Sequence, residues 1–243
     1  MGIRWITLDR VSSTNTYVAG LLKQGKVREE LVVTANYQET GKGQGANAWY
    51  SEPGRNLLMS VLLFPVFLSA SMQFYLSRAV SLALCDFIRS RDIPPRIKWP
   101  NDILVSGGKI AGTLIENGVA GRSLSHSIVG IGLNLNQTIY PPFDVPTTSM
   151  VLETGRTEVP RETAEQLYGY IQRRMKQLEQ GEYDPLEKEY LELLYRIHEV
   201  SSFKEGDRTF RGIIRGVNPY GELLVQEGGT TRAFGYREIR FSV

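Results

Sequence analysis

Apolar positions along the chain follow two spacings, and each change of spacing marks an element. β-rich runs over Ile3 to Leu8, Leu31 to Tyr37 and Asn56 to Phe64 predict strands. Between the first two, Tyr17, Val18, Leu21 and Leu22 recur at helical spacing behind Ser12-Ser13-Thr14-Asn15, with Gly25 as the stop. A long helix is predicted over Ser69 to Arg91, where Leu76, Ala79, Val80, Ala83, Leu84, Phe87 and Ile88 share one face and Pro94-Pro95 closes the segment. Ser127 to Asn136 predicts a strand carrying Gly130 and Gly132. Alternation puts Asn134 and Asn136 on one of its faces. Tyr140 to Pro146 is irregular, and Pro160 to Gly181 and Pro185 to Ile197 read as helices. From Phe203 onward the runs shorten. Arg211 to Val217, Glu222 to Glu227 and Thr231 to Phe234 are separated by Asn218-Pro219-Tyr220-Gly221 and Gly228-Gly229, the pattern of a small β-barrel of about forty residues. Strands with interspersed helices followed by an all-β tail predict an α+β fold, divided into residues 1–198 and 199–243.

The run from Lys98 to Glu116 is the densest in polar chemistry. Pro100 bars Trp99 from the helical region, so Trp99 to Asp102 reads as a bend. Ile103-Leu104-Val105 reads as a short buried strand, Ser106-Gly107-Gly108 as a hairpin turn, and Lys109 to Glu116 as the return strand. Lys109 thus stands at the turn end of a rigid hairpin, near Lys98, Asn101 and Asp102. Two ammonium groups on fixed backbone suit a phosphate or carboxylate, whereas either lysine alone reads as a solvated surface charge.

Composition removes several classes of function. Lys and Arg total 28 against 26 Asp and Glu, a net charge of +2, which provides no broad electrostatic footprint for nucleic acid or an anionic membrane. The longest apolar stretch, Leu57 to Ala70, is broken by Ser60, Pro65 and Ser69 and falls short of a membrane span. Arg4 and Asp9-Arg10 lie where a signal peptide needs an apolar region. The single cysteine, Cys85, sits among Leu84, Phe87 and Ile88 as a core residue and points to a reducing, cytoplasmic setting. His126 and His198 are far apart in sequence, so neither a structural zinc site nor a Cys-His dyad is expected, and no side-chain cluster for a metal stands out.

Two further stretches carry candidate chemistry. Ser13-Thr14-Asn15 reads alone as a helix N-cap, yet the free N–H groups of a helix start also hold polar ligands. Gly41-Lys42-Gly43-Gln44-Gly45-Ala46-Asn47 lacks the third glycine of a dinucleotide fingerprint, since Ala46 stands there, and is followed by a strand-like run. It also lacks the P-loop pattern. A mobile surface loop and a ligand-closing loop both fit it.

Together these residues resemble the biotin protein ligases, also called biotin–[acetyl-CoA-carboxylase] ligases. The resemblance rests on Ser13-Thr14-Asn15, Tyr37-Gln38 before the glycine loop, Trp49, Ser51 and Pro53 after it, KWPND at Lys98 to Asp102, KIAG at Lys109 to Gly112, and GIGLN at Gly130 to Asn134. Their order and spacing cover essentially the whole chain. The resemblance implies a catalytic domain similar to class II aminoacyl-tRNA synthetases over 1–198 and an SH3-like barrel over 199–243. It implies that biotin attacks Mg-ATP to form biotinyl-5′-AMP, and that a lysine of a biotin carboxyl carrier domain then takes the biotinyl group.

Residue roles follow from the same resemblance. Ser13, Thr14, Asn15 and Gln38 would line a biotin pocket closed by Lys42, Gly43 and Gln44. Lys109 would be catalytic and touch the biotin carboxylate. Asn47, Trp49, Lys98, Asn101, Asp102 and Asn134 would form the ATP side; the resemblance assigns no base for the acceptor lysine, for which Asp102 is a candidate. The chain starts at the catalytic domain, so a ligase without a DNA-binding helix-turn-helix is expected, and an exposed sheet edge would allow a homodimer. Many relatives read G-R-G-R-x-G-R through the loop, whereas here Lys42, Gln44 and Asn47 replace three arginines. The expected consequence is either weaker retention of the adenylate or compensation by another basic residue, with Arg55 as the candidate. Lipoate–protein ligase and octanoyl transferase share the implied fold and are the nearest rivals; an inert biotin-binding adaptor is the rival from another class.

Overall fold

A computed structural model describes residues 3–45, 47–143 and 145–242; Ala46 of the glycine loop and Asp144 of the proline-rich stretch lie outside the described residues. The chain opens with strand β1 (Arg4–Val11), helix α1 (Thr14–Lys23), and strands β2 (Leu31–Gln38) and β3 (Leu57–Leu63). A single 3-10 turn over Ala70–Met72 precedes α2 (Phe74–Arg89), so the predicted helix from Ser69 breaks at Gln73 before the long segment starts. Then come β4 (Arg96–Lys98), β5 (Asp102–Val105), β6 (Gly108–Ala120), β7 (Ser123–Leu133), α3 (Met150–Thr154), α4 (Pro160–Glu179) and α5 (Tyr183–Leu193). The last segment holds β8 (Val200–Glu205), β9 (Arg208–Val217), β10 (Leu223–Glu227), β11 (Thr230–Phe234) and β12 (Arg240–Phe241).

The first seven strands form one sheet in the order β1-β2-β3-β7-β6-β5-β4. Only β1 and β2 pair in parallel, with α1 as the connection between them; the other pairs are antiparallel. Strand alternation sorts the apolar residues to two faces. On one face Val32, Met59, Val61, Val129 and Ile131 join α2 and α4 in the main core. On the other, Leu31, Val33, Leu62 and Ile128 pack on Val18 of α1.

The α1 face is only half covered, and the register shows why. Ser60, Gly130 and Leu114 lie in one cross-strand row, and Leu58, Gly132, Gly112, Asp102 and Lys98 lie in the next. The glycines strip side chains from this part of the sheet and leave a floor. Strict alternation from Gly112 would turn Lys109 toward the core. A bulge between Ile103 and Leu104 in the pairing sends Ile110 into the core and sets Lys109 opposite Leu104, on the floor side.

The second sheet, β11-β10-β9-β8-β12, is antiparallel throughout. Its outer strands β11 and β12 do not pair with each other among the described residues, so the expected barrel is present as a five-stranded sheet. Two buried polar links join it to the first. The Trp99 indole N–H donates to the Gly221 carbonyl at 2.8 Å. Arg78, fully buried in α2, donates to the Val217 carbonyl at 2.7 Å and pairs with Glu187 at 3.0 Å. Burial of a guanidinium without such partners would cost several kcal/mol, roughly.

Other differences from the sequence reading are local. β4, α3, β8 and β12 are short elements without a periodic signature. The strand predicted over Ser127 to Asn136 begins at Ser123 and ends at Leu133, and the helix predicted over Pro185 to Ile197 ends at Leu193.

Candidate active site

A cleft of about 1210 Å³ lies on the glycine floor, between the first sheet and the β8–β12 unit. Its two ends are built from different chemistry.

One end is neutral and pre-bonded. Ser13 occupies the N-cap of α1, but its hydroxyl makes no capping bond, so the capping reading fails and the hydroxyl lines the cleft. Gln38 Oε1 accepts from the Thr14 N–H at 2.8 Å and from its hydroxyl at 3.0 Å. Asn15 Nδ2 donates to a Glu116 carboxylate oxygen at 2.7 Å and to the Leu114 carbonyl at 3.2 Å. Ser60 Oγ lies 2.7 Å from Thr14 Oγ1 and 2.6 Å from Asn15 Oδ1. One hydroxyl proton serves only one of those two acceptors, so an acceptor is left for a ligand N–H. Gly130 carries no side chain because Asn15 fills the space where its Cβ would project.

The other end is cationic. Lys98, Lys109 and Arg196 gather there around Asp102, the one carboxylate of the cleft lining among the described residues; Lys42 of the glycine loop and Lys204, Arg237 and Arg240 of the last segment line the same cleft. A chain of net charge +2 thus concentrates positive potential in one cleft. Lys109 Nζ sits 2.7 Å from Asp102 Oδ1 and 5.5 Å from the centre of the Trp49 ring. The Trp49 ring lies over Gly132 and Gly112, in space that a side chain at Gly132 would occupy. Its indole N–H is buried without a partner. Burial holds the Lys98 ammonium below the usual lysine range. Asp102 opposes that shift, and Lys109 and Arg196 add to it.

Between the ends runs the glycine loop, folded as a narrow hairpin. The Gly43 N–H donates to the Asn47 carbonyl, and the Trp49 N–H to the Gly41 carbonyl, both at 2.8 Å. A Cβ on Gly41 would stand 2.5 Å from the Trp49 carbonyl oxygen, which explains glycine there.

Of the residues singled out in the sequence, Ser13, Thr14, Asn15, Gln38, Lys42, Gly43, Gln44, Asn47, Trp49, Lys98, Asn101, Asp102 and Lys109 all line the cleft. Asn101 is partly engaged, since its amide donates to the Thr113 carbonyl at 2.7 Å and pins the bend to β6. Asn134 stands apart from these residues. It lies past the end of β7, is buried, does not line the cleft, and donates to the Thr148 carbonyl at 2.9 Å. Asn136 donates instead to the Glu158 carbonyl, so the two do not share a ligand face. Arg55 also lies outside the cleft lining.

Sequence reading missed Ser60, Glu116 and the cations of the second sheet. Ser60 had a signal, as the one hydroxyl inside the buried run of β3. The distant cations had none. Among the described residues no group of three His, Cys, Asp or Glu side chains is arranged to hold a metal. Among the described residues no helix is long and apolar enough to cross a membrane.

The fold matches solved biotin protein ligases. The Aquifex aeolicus biotin protein ligase in complex with biotin and ATP aligns with a TM-score of 0.80 and 24% identity, over 98% of this chain and 99% of that one. In sequence, the biotin–[acetyl-CoA-carboxylase] ligase of Paracoccus denitrificans is 30% identical over 216 residues, 86% of this chain and 89% of the relative. The bifunctional ligase/repressor BirA of Escherichia coli K12 is 25% identical over 234 residues, 96% of this chain and 72% of the relative. Residues 7–134 match the Biotin/lipoate A/B protein ligase family, and the chain belongs to that family. The α+β architecture expected from the sequence therefore holds, and the C-terminal part expected as an SH3-like barrel is β-rich.

Proposed function

We infer that this chain is an ATP-dependent biotin–[acetyl-CoA-carboxylase] ligase. The observation that carries the reading is one cleft in which a neutral, hydrogen-bonding socket meets a cluster of cations, with Lys109 among them. A ureido ring offers two N–H donors and one carbonyl. Ser13, the free acceptor shared by Thr14 and Asn15, and Gln38 are suited to those groups.

With the ring so held, the valerate carboxylate reaches toward Lys109. Its oxygen attacks the α-phosphorus of ATP, the bond to the β-phosphate oxygen breaks, and pyrophosphate leaves with the electron pair. Lys109 and Lys98 stabilise the charge that builds on the phosphoryl oxygens, and cations on fixed backbone do so with little reorganisation. The unpartnered Trp49 N–H and Asn101 lie on the nucleotide side. Magnesium enters as the Mg-ATP complex. Asp102, which pairs with Lys109, is the carboxylate of the cleft lining that would face that ion, and the ion would offset negative charge on the phosphates.

In the second step a neutral lysine amine of a biotin carboxyl carrier domain attacks the acyl carbon, AMP leaves, and a proton is released as the amide forms. Asp102, the one carboxylate of the cleft lining among the described residues, is suited to receive it. Closure of the glycine loop by Lys42, Gly43 and Gln44 keeps water from the mixed anhydride. The working units are residues 1–198 for catalysis and 199–243 for the β-rich, SH3-like part, and the setting is the cytoplasm.

The test is ATP–pyrophosphate exchange with biotin, lipoate or octanoate added in turn. Biotin-dependent exchange is expected. Exchange only with lipoate would move the chain to the lipoate branch of its family, and no exchange with any acid would defeat the ligase reading.

A further inference from the structure

We propose that Arg237, carried by the turn between β11 and β12, is a nucleotide-phosphate-binding residue, and that Tyr236 beside it latches the glycine loop. This inference deepens the ligase reading and rests on a nucleotide occupying the cationic end of the cleft.

The loop supplies little charge of its own. Lys42 is its single cation, and Gln44 and Asn47 are neutral. Arg55, nearest in sequence, is outside the cleft lining. The second sheet fills that gap. The Tyr236 hydroxyl donates to the Gln44 carbonyl at 3.0 Å, across 192 residues of chain. The Arg237 guanidinium stands against Gly45, where any side chain would collide with it, and Gly45 itself holds φ 70°, a conformation that favours glycine.

Arg237 is built into this position. Its own φ is 77°, unusual for a residue with a side chain, and such outliers persist where surrounding structure holds them. Here the Glu238 carboxylate accepts from the Gly235 N–H at 2.7 Å, and the Glu238 N–H donates to the Gly235 carbonyl at 3.2 Å, closing the turn. The guanidinium makes no ion pair among the described residues and lines the same cleft as Lys98 and Lys109. A planar fork of N–H donors suits phosphate oxygens better than a point charge does. The β8–β12 unit thereby becomes part of the nucleotide site.

The experiment compares Arg237→Ala, Arg237→Lys, Tyr236→Phe and the double variant Gln44→Arg/Arg237→Ala with the parent protein. Readouts are the KM for ATP in biotin-dependent pyrophosphate exchange, the release rate of preformed biotinyl-5′-AMP, and biotin affinity without ATP. Loss of a charge-assisted contact predicts about a 10-fold rise in ATP KM and in adenylate release for Arg237→Ala. Arg237→Lys should fall between, and the double variant should recover much of the loss because its new guanidinium sits on the loop itself. Tyr236→Phe should speed adenylate release by about 3-fold. An Arg237→Ala protein within twofold of the parent in both ATP KM and adenylate release would overturn the proposal. So would an equal loss of ATP and biotin affinity with no recovery in the double variant, which marks a merely structural role. If the parent shows no biotin-dependent exchange, the ligase reading fails by itself. Direct binding of a fluorescent ATP analogue to parent and Arg237→Ala then judges Arg237, and equal affinities would overturn it.

Discussion

The two ends of the cleft solve recognition in opposite ways. At the neutral end most groups are already engaged, Thr14 with Gln38, Asn15 with Glu116, and Ser60 with one of its two neighbours, which leaves one acceptor and the Ser13 hydroxyl for a ligand. These residues come from the start of α1 and from buried strands, so their positions are set by the core. At the cationic end the side chains are held by one partner at most, as Lys109 is by Asp102, and they come from turns, a bulge and a second sheet. A neutral ring needs directional hydrogen bonds, and these demand rigid placement. A polyphosphate needs charge, and charge tolerates looser geometry. The sheet floor serves both ends through glycines two residues apart on β7.

The largest expected effect is at the junction. Lys109→Ala should lower biotin-dependent pyrophosphate exchange by about 100- to 1000-fold, as for a lost oxyanion donor, with the thermal midpoint nearly unchanged. A kcat within fivefold of the parent would remove Lys109 from the chemistry.

Arg78→Met tests whether the cationic end depends on the second sheet. The variant strands the Val217 carbonyl and leaves Glu187 without its cation. Losing one partner of a buried pair costs about 3 kcal/mol, the low end of the usual range because Glu187 is 33% exposed. Denaturant unfolding should register that loss, and ATP KM should rise before biotin KM does. The reverse order would contradict the division between the ends.

Two glycine substitutions separate the ends directly. Gly130→Ala drives a methyl group into Asn15, and Gly132→Ala drives one into the Trp49 ring. Overpacking of this kind costs about 1–3 kcal/mol, or roughly 5- to 150-fold in affinity. Steady-state kinetics should show the first raising mainly biotin KM and the second mainly ATP KM. Identical profiles for the two would mean that the cleft responds as a single unit.

The smallest effect concerns Lys98. Burial lowers its pKa in the folded chain, so between the folded and unfolded values the native state holds fewer protons and stability rises with pH. Phosphate binding needs the ammonium and therefore runs the other way. ATP affinity should decline as pH climbs through the lowered pKa, with proton uptake on binding in that window. Calorimetry in buffers of different ionisation enthalpy measures the uptake, and Lys98→Met should abolish it. Uptake that survives in Lys98→Met would assign it to another group.

Much of this site was legible in the chain. Ser13-Thr14-Asn15, the glycine loop and KWPND are local runs in which several polar groups fall within a few residues, and a local run keeps its neighbours together in any fold. Gly130 and Gly132 stood out as glycines inside a strand, and the side chains that fill the space beside them, Asn15 and Trp49, come from distant parts of the chain. Asn134 was read as a strand residue, but the strand ends one residue before it, and a strand end depends on competing backbone partners.

By itself the sequence determined the order of elements, the polar cluster at the start of α1 and the cation-bearing hairpin, because periodicity and turn chemistry act over a few residues. Only the tertiary structure decided which way Lys109 points, since a bulge shifts its register by one residue and a one-residue shift changes the face. It also decided that Ser60 and Glu116 brace Asn15 from behind the neutral end and that Tyr236 and Arg237 reach the glycine loop. Those contacts join residues separated by tens to nearly two hundred positions. No local preference encodes such a meeting, because the packing of two sheets against each other creates it.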